Sequence, residues 1–203
     1  MSIEVKISKR RISYKKAMQF LNRRVQSLKQ NKANELLWLL EHPLTFTAGI
    51  RSNDKEILDK KIKIIKTNRG GKITLHNPGQ KIIYFAINLN KRKKDVRKFV
   101  RVLENSIIEF LHSYKINSKN DKKNIGIWVK DKKIAAIGLR ISKWIAYHGL
   151  SININNDLSQ YYKILPCGLS NIRITSIYNE NGKVIKNFEK KLLEILIKNI
   201  NKI

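Results

Sequence analysis

Cys167 is the one cysteine in a chain of 203 residues, and it sits in Leu165-Pro166-Cys167-Gly168. Proline and glycine fix a bend there and leave the backbone open to whatever approaches the sulfur. A bend is a poor place for a core cysteine, and a lone thiol is either an inert buried hydrophobe or a nucleophile whose reactivity follows its ionisation. Without a second cysteine no internal disulfide can form. Lys133 is the next candidate, because it opens the otherwise apolar run Lys133-Ile134-Ala135-Ala136-Ile137-Gly138-Leu139. Strand alternation puts Lys133 on the side of Ala135, Ile137 and Leu139. It reads there either as an edge lysine snorkelling to solvent or as a desolvated amine able to exchange protons near neutral pH.

His76 and His148 could act as general bases, although His148 lies among apolar residues in the manner of a hydrogen-bonded core histidine. Neither stands at zinc-ligand spacing with Cys167 or another histidine, so no metal is expected. Arg69-Gly70-Gly71 could bind phosphate or present backbone amides to an acyl chain, but its spacing is not that of a phosphate loop.

These residues need a scaffold. Residues 13–30 carry Ala17, Phe20, Leu21, Val25 and Leu28 at helical spacing, with Ser13 placed to cap the start. The apolar run 36–40 ends at Glu41-His42-Pro43 and suits a buried strand, followed by a loop carrying Thr45, Thr47 and Gly49. Residues 68–80 concentrate glycine and proline ahead of a strand over 82–87. A long helix face runs through Phe99, Val100, Leu103, Ile107, Phe110, Leu111 and Tyr114, and a polar, lysine-rich stretch follows it. Residues 125–154 read as adjoining strands with a turn at Lys130-Asp131-Lys132, and place Trp144, Ala146, His148, Leu150, Ile152 and Ile154 on one face. Asn181-Gly182 suits a turn, and Phe188, Leu192, Ile195, Leu196 and Ile200 mark a last helix. Intermixed strands and helices without a repeat predict an α/β (α+β) fold, with one mixed sheet packed by helices in a single domain over 1–203.

The net charge of +28 would ordinarily suggest nucleic acid. Here the surplus is mainly lysine spread along the chain beside heavy use of Ile and Asn, which an AT-rich genome would supply as readily as selection for a partner. A cationic surface attracts nucleic acid non-specifically and attracts an acidic carrier protein equally well. The opening residues lack the apolar core of a signal peptide, and no apolar run approaches the length of a membrane span, so a soluble cytoplasmic protein is expected.

Three blocks together resemble the lipoyl(octanoyl) transferases of lipoate biosynthesis. They are Glu41-His42-Pro43 with Phe46-Thr47-Ala48-Gly49; the stretch from Arg69 to Gln80, with Tyr84 beyond it; and Lys133 to Gly138, His148-Gly149-Leu150, Pro166-Cys167-Gly168 and Thr175-Ser176. The match covers most of residues 35–180. It departs at Asn77, where the family usually has glycine, and asparagine is the non-glycine residue that best tolerates positive φ. The resemblance implies the fold of biotin and lipoate protein ligase catalytic domains, a Cys167 acyl-thioester, and Lys133 as the group that favours the thiolate and shuttles its proton. It implies an acyl pocket lined by Arg69, Gly70, Gly71, Lys72, Ile73, Thr74, Leu75, His76, Ala136, Ile137, Gly138, Gly149, Leu150 and Ser151, supported by His148 and Tyr84. Octanoyl-acyl carrier protein would be the donor. The acceptors would be lipoyl domains of 2-oxoacid dehydrogenases and the glycine cleavage H protein. A monomer without metal, ATP, membrane or specific nucleic acid is expected. The rival readings are an ATP-dependent lipoate or biotin ligase, a basic nucleic-acid-binding protein and an inactive relative.

Overall fold

The computed structural model describes residues 2–121, 124–166 and 173–203. Strand β1 (Ile3–Ile7) is followed by helix α1 (Tyr14–Lys29), whose Ser13 cap accepts a hydrogen bond from the Lys16 amide. Then come β2 (Glu35–Leu40), β3 (Thr45–Ala48), β4 (Ile64–Lys66), β5 (Ile73–His76) and β6 (Gln80–Asn88). Helix α2 (Val96–His112), capped by Asp95, leads to β7 (Lys119–Asn120), β8 (Ile127–Val129), β9 (Lys132–Ser142) and β10 (Ile145–Asn153). Strand β11 (Arg173–Ile174), the short α3 (Ile177–Asn181) and α4 (Glu189–Ile200) complete the order.

Among the described residues the main sheet has eight strands in the order β1-β2-β6-β10-β9-β8-β7, with β11 alongside β9. It is mixed: β1 and β2 run parallel, and β2, β6, β10 and β9 alternate in direction. Helices cover both faces, which explains why 36–40 reads as an unbroken apolar run. Leu36, Trp38 and Leu40 point to the α1 side with Ile82, Tyr84 and Ala86. Leu37 and Leu39 point to the other side, where Ile83, Phe85 and Ile87 meet α2 and α4.

Several local expectations give way. Thr45 and Thr47 are not in a loop; they belong to β3, the centre of a second, three-stranded sheet ordered β4-β3-β5. Short strands without an alternating apolar pattern leave little trace in sequence. Asn181-Gly182 turns the chain at the end of a helix: Gly182, at φ +69, closes α3 and its amide reaches the Tyr178 carbonyl. Trp144 is not on the strand face either. With Lys143 it forms the two-residue β9–β10 turn, both residues at positive φ as a type I′ turn requires, without the usual Asn-Gly. The turn after β8 lies where the sequence puts it, with Lys130 at φ +55.

One buried ion pair ties the sheet to the helical layer. Both oxygens of Glu35 accept from Arg92, at 2.5 and 2.7 Å, while Glu35 also accepts from the Asn88 amide and Arg92 Nε reaches the Ile200 carbonyl. Each residue is about 5% exposed, at 4% and 5%. Removing one partner of such a pair strands the other charge without water. Arg92→Ala is therefore expected to lower the free energy of unfolding by about 3–5 kcal/mol, read from urea denaturation.

Candidate active site

A cavity of about 860 Å³ opens over the β6-β10-β9 part of the sheet. Its floor exists because side chains are missing. Gly149 pairs with Gly138, and Ser151 with Ala136, so four small residues lie side by side. A β-carbon on Gly149 would lie 2.0 Å from the Ile83 carbonyl oxygen, so no other residue fits without moving the strand.

The glycine-rich loop forms the opposite wall and is held by backbone contacts. The Gly70 amide reaches the Leu139 carbonyl at 3.3 Å, and the amides of Gly49, Ile50 and Arg51 reach the carbonyls of Lys72, Arg69 and Gly71. At Gly49 a β-carbon would meet the Gly71 carbonyl at 2.4 Å. Arg69 is turned inward: it donates to the Thr47 carbonyl and hydroxyl, both at 2.9 Å, and to the Gly70 carbonyl. Its guanidinium therefore clamps the loop to β3, and the phosphate-binding reading of Arg69-Gly70-Gly71 is set aside. Of residues 69–76 all but Leu75 line the cavity. Leu75 is wholly buried with Phe46, Ile73 and Ile164 under the small sheet, facing away from its strand neighbours Thr74 and His76.

The other motif residues support this cradle. Glu41 accepts from the Gly79 amide at 3.1 Å, and the Tyr84 hydroxyl donates to His42 Nε2 at 2.8 Å. Burial pushes the Tyr84 phenol well above its ordinary pKa, so it stays a neutral donor. The turn between β5 and β6 puts Pro78 and Gly79 at its centre, with Gly79 at φ +84. Asn77 does not use positive φ. Its side chain instead donates to the Asp157 carbonyl and accepts from Asn156, which is why asparagine fits where glycine was expected.

Lys133 is 5% exposed and lines the cavity, as do Ala136, Ile137, Gly138, Gly149, Leu150 and Ser151. The snorkelling alternative is thereby excluded. Its Nζ donates to the Ile125 carbonyl at 3.1 Å. Cys167 lies outside the described residues. The chain on either side is anchored, with the Leu165 amide on the Glu56 carbonyl, Ile174 paired with Lys133, and the Thr175 amide on the Lys133 carbonyl. A buried polar chain runs from His76 Nδ1 to Gln80, from Gln80 to Asn153, and from Asn153 to the Thr175 carbonyl.

Both cavity histidines are neutral. Burial brings His76 down to about 3 and His148 down to about 4. Both rings therefore carry no charge at neutral pH and hold a proton only weakly. His148, at φ +71, donates through Nε2 to Asn68, leaving Nδ1 as a bare acceptor without a partner among the described residues. Sequence reasoning missed Tyr14, Arg51 and the α2 residues Val96, Arg97, Val100 and Arg101, which also line the cavity. Only the arrangement of helices against the sheet brings them there. Among the described residues no three His, Cys, Asp or Glu side chains gather as a metal site, and no helix is long and apolar enough to cross a membrane.

Residues 13–196 match the family model described as the lipoyl protein ligase A/B catalytic domain. A protein named octanoyltransferase from Wolbachia sp. subsp. Brugia malayi is 43% identical over 180 residues, 86% of this chain and 88% of that one. An octanoyltransferase from Bartonella tribocorum is 39% identical over 191 residues, 87% of this chain and 78% of the other. In fold the chain is similar to a bi-partite lipoate protein ligase from Thermoplasma acidophilum, at TM-score 0.67 and 13% identity over 99% of this chain and 84% of that one. It is also similar to a biotin protein ligase from Aquifex aeolicus in complex with biotin, at 0.55 and 17% over 98% and 70%. The chain belongs to the lipoyl protein ligase A/B catalytic-domain family, within its octanoyltransferase members, and is an acyltransferase.

The two cavity histidines contribute to the response to acid. Their folded values lie below the ordinary 6.5, so as pH falls the unfolded chain takes up protons first. Their contribution is complete above about pH 6.5 and is lost on acidification, toward about 4 for His148 and about 3 for His76. Each adds a slope of about 1.4 kcal/mol per pH unit in that window. His148→Asn, which tolerates positive φ, is expected to remove one histidine's share of the slope in urea unfolding followed between pH 7 and pH 5.

Proposed function

We propose that the protein takes an octanoyl group from acyl carrier protein onto Cys167 and passes it to a lysine of the lipoyl domains of lipoate-dependent enzymes. The observation that carries this reading is a buried lysine on the wall of a cavity floored by Ala136, Gly138, Gly149 and Ser151. The volume, about 860 Å³, is that of a small-molecule site. The missing side chains leave room for an extended acyl chain on the sheet, under the glycine loop. The relatives' name, octanoyltransferase, supports the chain length.

In the first half-reaction the Cys167 thiolate attacks the donor thioester carbonyl, the carbon–sulfur bond to the carrier breaks, and the carrier thiol leaves with a proton from Lys133. In the second half-reaction the acceptor amine attacks the new thioester. Cys167 then leaves as the thiolate and Lys133 takes the amine proton, so the group ends as it began. Exchange of one thioester for another is nearly even in energy and the amide formed at the end is stable, so neither nucleotide nor metal is required. In this scheme Lys133 is the proton carrier on this wall. We place the reaction in the cytoplasm, carried out by a monomer, with the glycine cleavage H protein as a further acceptor.

Intact mass after incubation with octanoyl-acyl carrier protein, without ATP or magnesium, tests the proposal. The wild type is expected to gain one octanoyl group and Cys167→Ser none, while Lys133→Ala slows transfer by about 10²-fold or more. Absence of the adduct, with transfer appearing only on addition of free octanoate, ATP and magnesium, would replace this reading with that of a ligase.

A further inference from the structure

Lys133 ends in four rotatable carbon–carbon bonds, and a side chain of that kind does not hold its nitrogen in one place unless something seats it. Two neighbours do so. The Trp128 ring lies 4.7 Å from Nζ, centroid to nitrogen, and the Ile125 carbonyl accepts from the same Nζ. Trp128 is itself fixed: it is 7% exposed, its Nε1 donates to the Asn124 carbonyl at 3.0 Å, and β8 pairs it with Lys133 across an irregularity between Ile127 and Trp128. That shift in pairing brings the indole over the lysine.

Gly126 completes the arrangement. At φ +140, a β-carbon there would lie 2.7 Å from the Ala135 carbonyl, 3.0 Å from Lys133 Cε and 3.3 Å from Nζ. The chain can therefore present the Ile125 carbonyl to the ammonium only because position 126 is glycine. Strand and turn patterning predict neither contact.

We propose that Trp128 and Gly126 are positioning residues that seat the Lys133 ammonium on the cavity wall, the ring face and the Ile125 carbonyl defining where it can give and take a proton. The inference rests on Lys133 as the proton carrier. If Trp128 acts through Lys133, its loss slows the transfer step without weakening donor binding, and another aromatic restores much of the effect.

The experiment compares Trp128→Leu, Trp128→Phe and Gly126→Ala with the wild type, each checked for folding by its thermal transition. Steady-state transfer from octanoyl-acyl carrier protein is expected to show kcat down by about tenfold in Trp128→Leu with KM within twofold of wild type, and largely recovered in Trp128→Phe. Gly126→Ala is expected to fall at least as far. In parallel, acetic anhydride labelling of Lys133, resolved by peptide mass spectrometry, is expected to be several-fold faster in Trp128→Leu, because the amine is no longer covered. An unchanged kcat, a loss confined to KM, or an unchanged labelling rate in a folded Trp128→Leu overturns the proposal. The labelling reads the seat without turnover. Failure of the octanoyl-transfer reading would instead appear in the wild type, as the absence of a Cys167 adduct.

Discussion

A carbonyl oxygen 2.0 Å from where a side chain would begin leaves position 149 no choice but glycine, and the cavity follows from that constraint. Because Gly149 faces Gly138, and Ser151 faces Ala136, the three central strands can stay in register without filling the space above them. An apolar core would normally close such a gap, since unfilled volume costs contacts. Here the glycine loop roofs it over: Gly70 bonds to Leu139, and Gly49 comes so close to Gly71 that neither strand nor loop could move without the other. The site is thus a planned absence of side chains between two backbones.

The separated motif blocks make sense as parts of that one cradle. Glu41 holds the Gly79 turn, His42 holds Tyr84, Thr47 holds Arg69, and Gly49 admits the loop at Gly71. The Thr175 amide bonds to the carbonyl of Lys133, which joins the last block to the cavity wall. Each contact crosses many residues of sequence, so the blocks appear as unrelated fragments until the sheet assembles them.

This division also explains what could be read beforehand. Helix α1, strand β2 and helix α2 were legible because burial of one stripe or both faces imposes a pattern on consecutive residues. The second sheet was not, since β3 to β5 are short and their apolar residues Phe46, Ile73 and Leu75 form a small cluster assembled from distant segments. Of the residues that the resemblance assigns to an acyl pocket, all but Leu75 line the cavity, and Leu75 packs in the small apolar cluster under the second sheet. Asn77 fits through its side-chain amide bonds to Asp157 and Asn156, not through a left-handed backbone, and such long-range partners leave no local trace in sequence. Trp128 and Gly126 carried no periodic signal, because their role depends on a pairing shift that only coordinates reveal.

The +28 charge can now be divided physically. Buried cations need specific partners, since an unpaired charge away from water is costly. Arg92 has Glu35, Arg69 has Thr47 and the Gly70 carbonyl, and Lys133 has the Ile125 carbonyl and the Trp128 ring. Arg92 sits on a carboxylate, whereas Arg69 and Lys133 meet carbonyl oxygens, a hydroxyl and a ring face at the cavity. With 43 basic and 15 acidic residues, most remaining cations must face water, where their exact placement matters little to folding. A surface can therefore gather lysines while the interior cations stay tied to single positions.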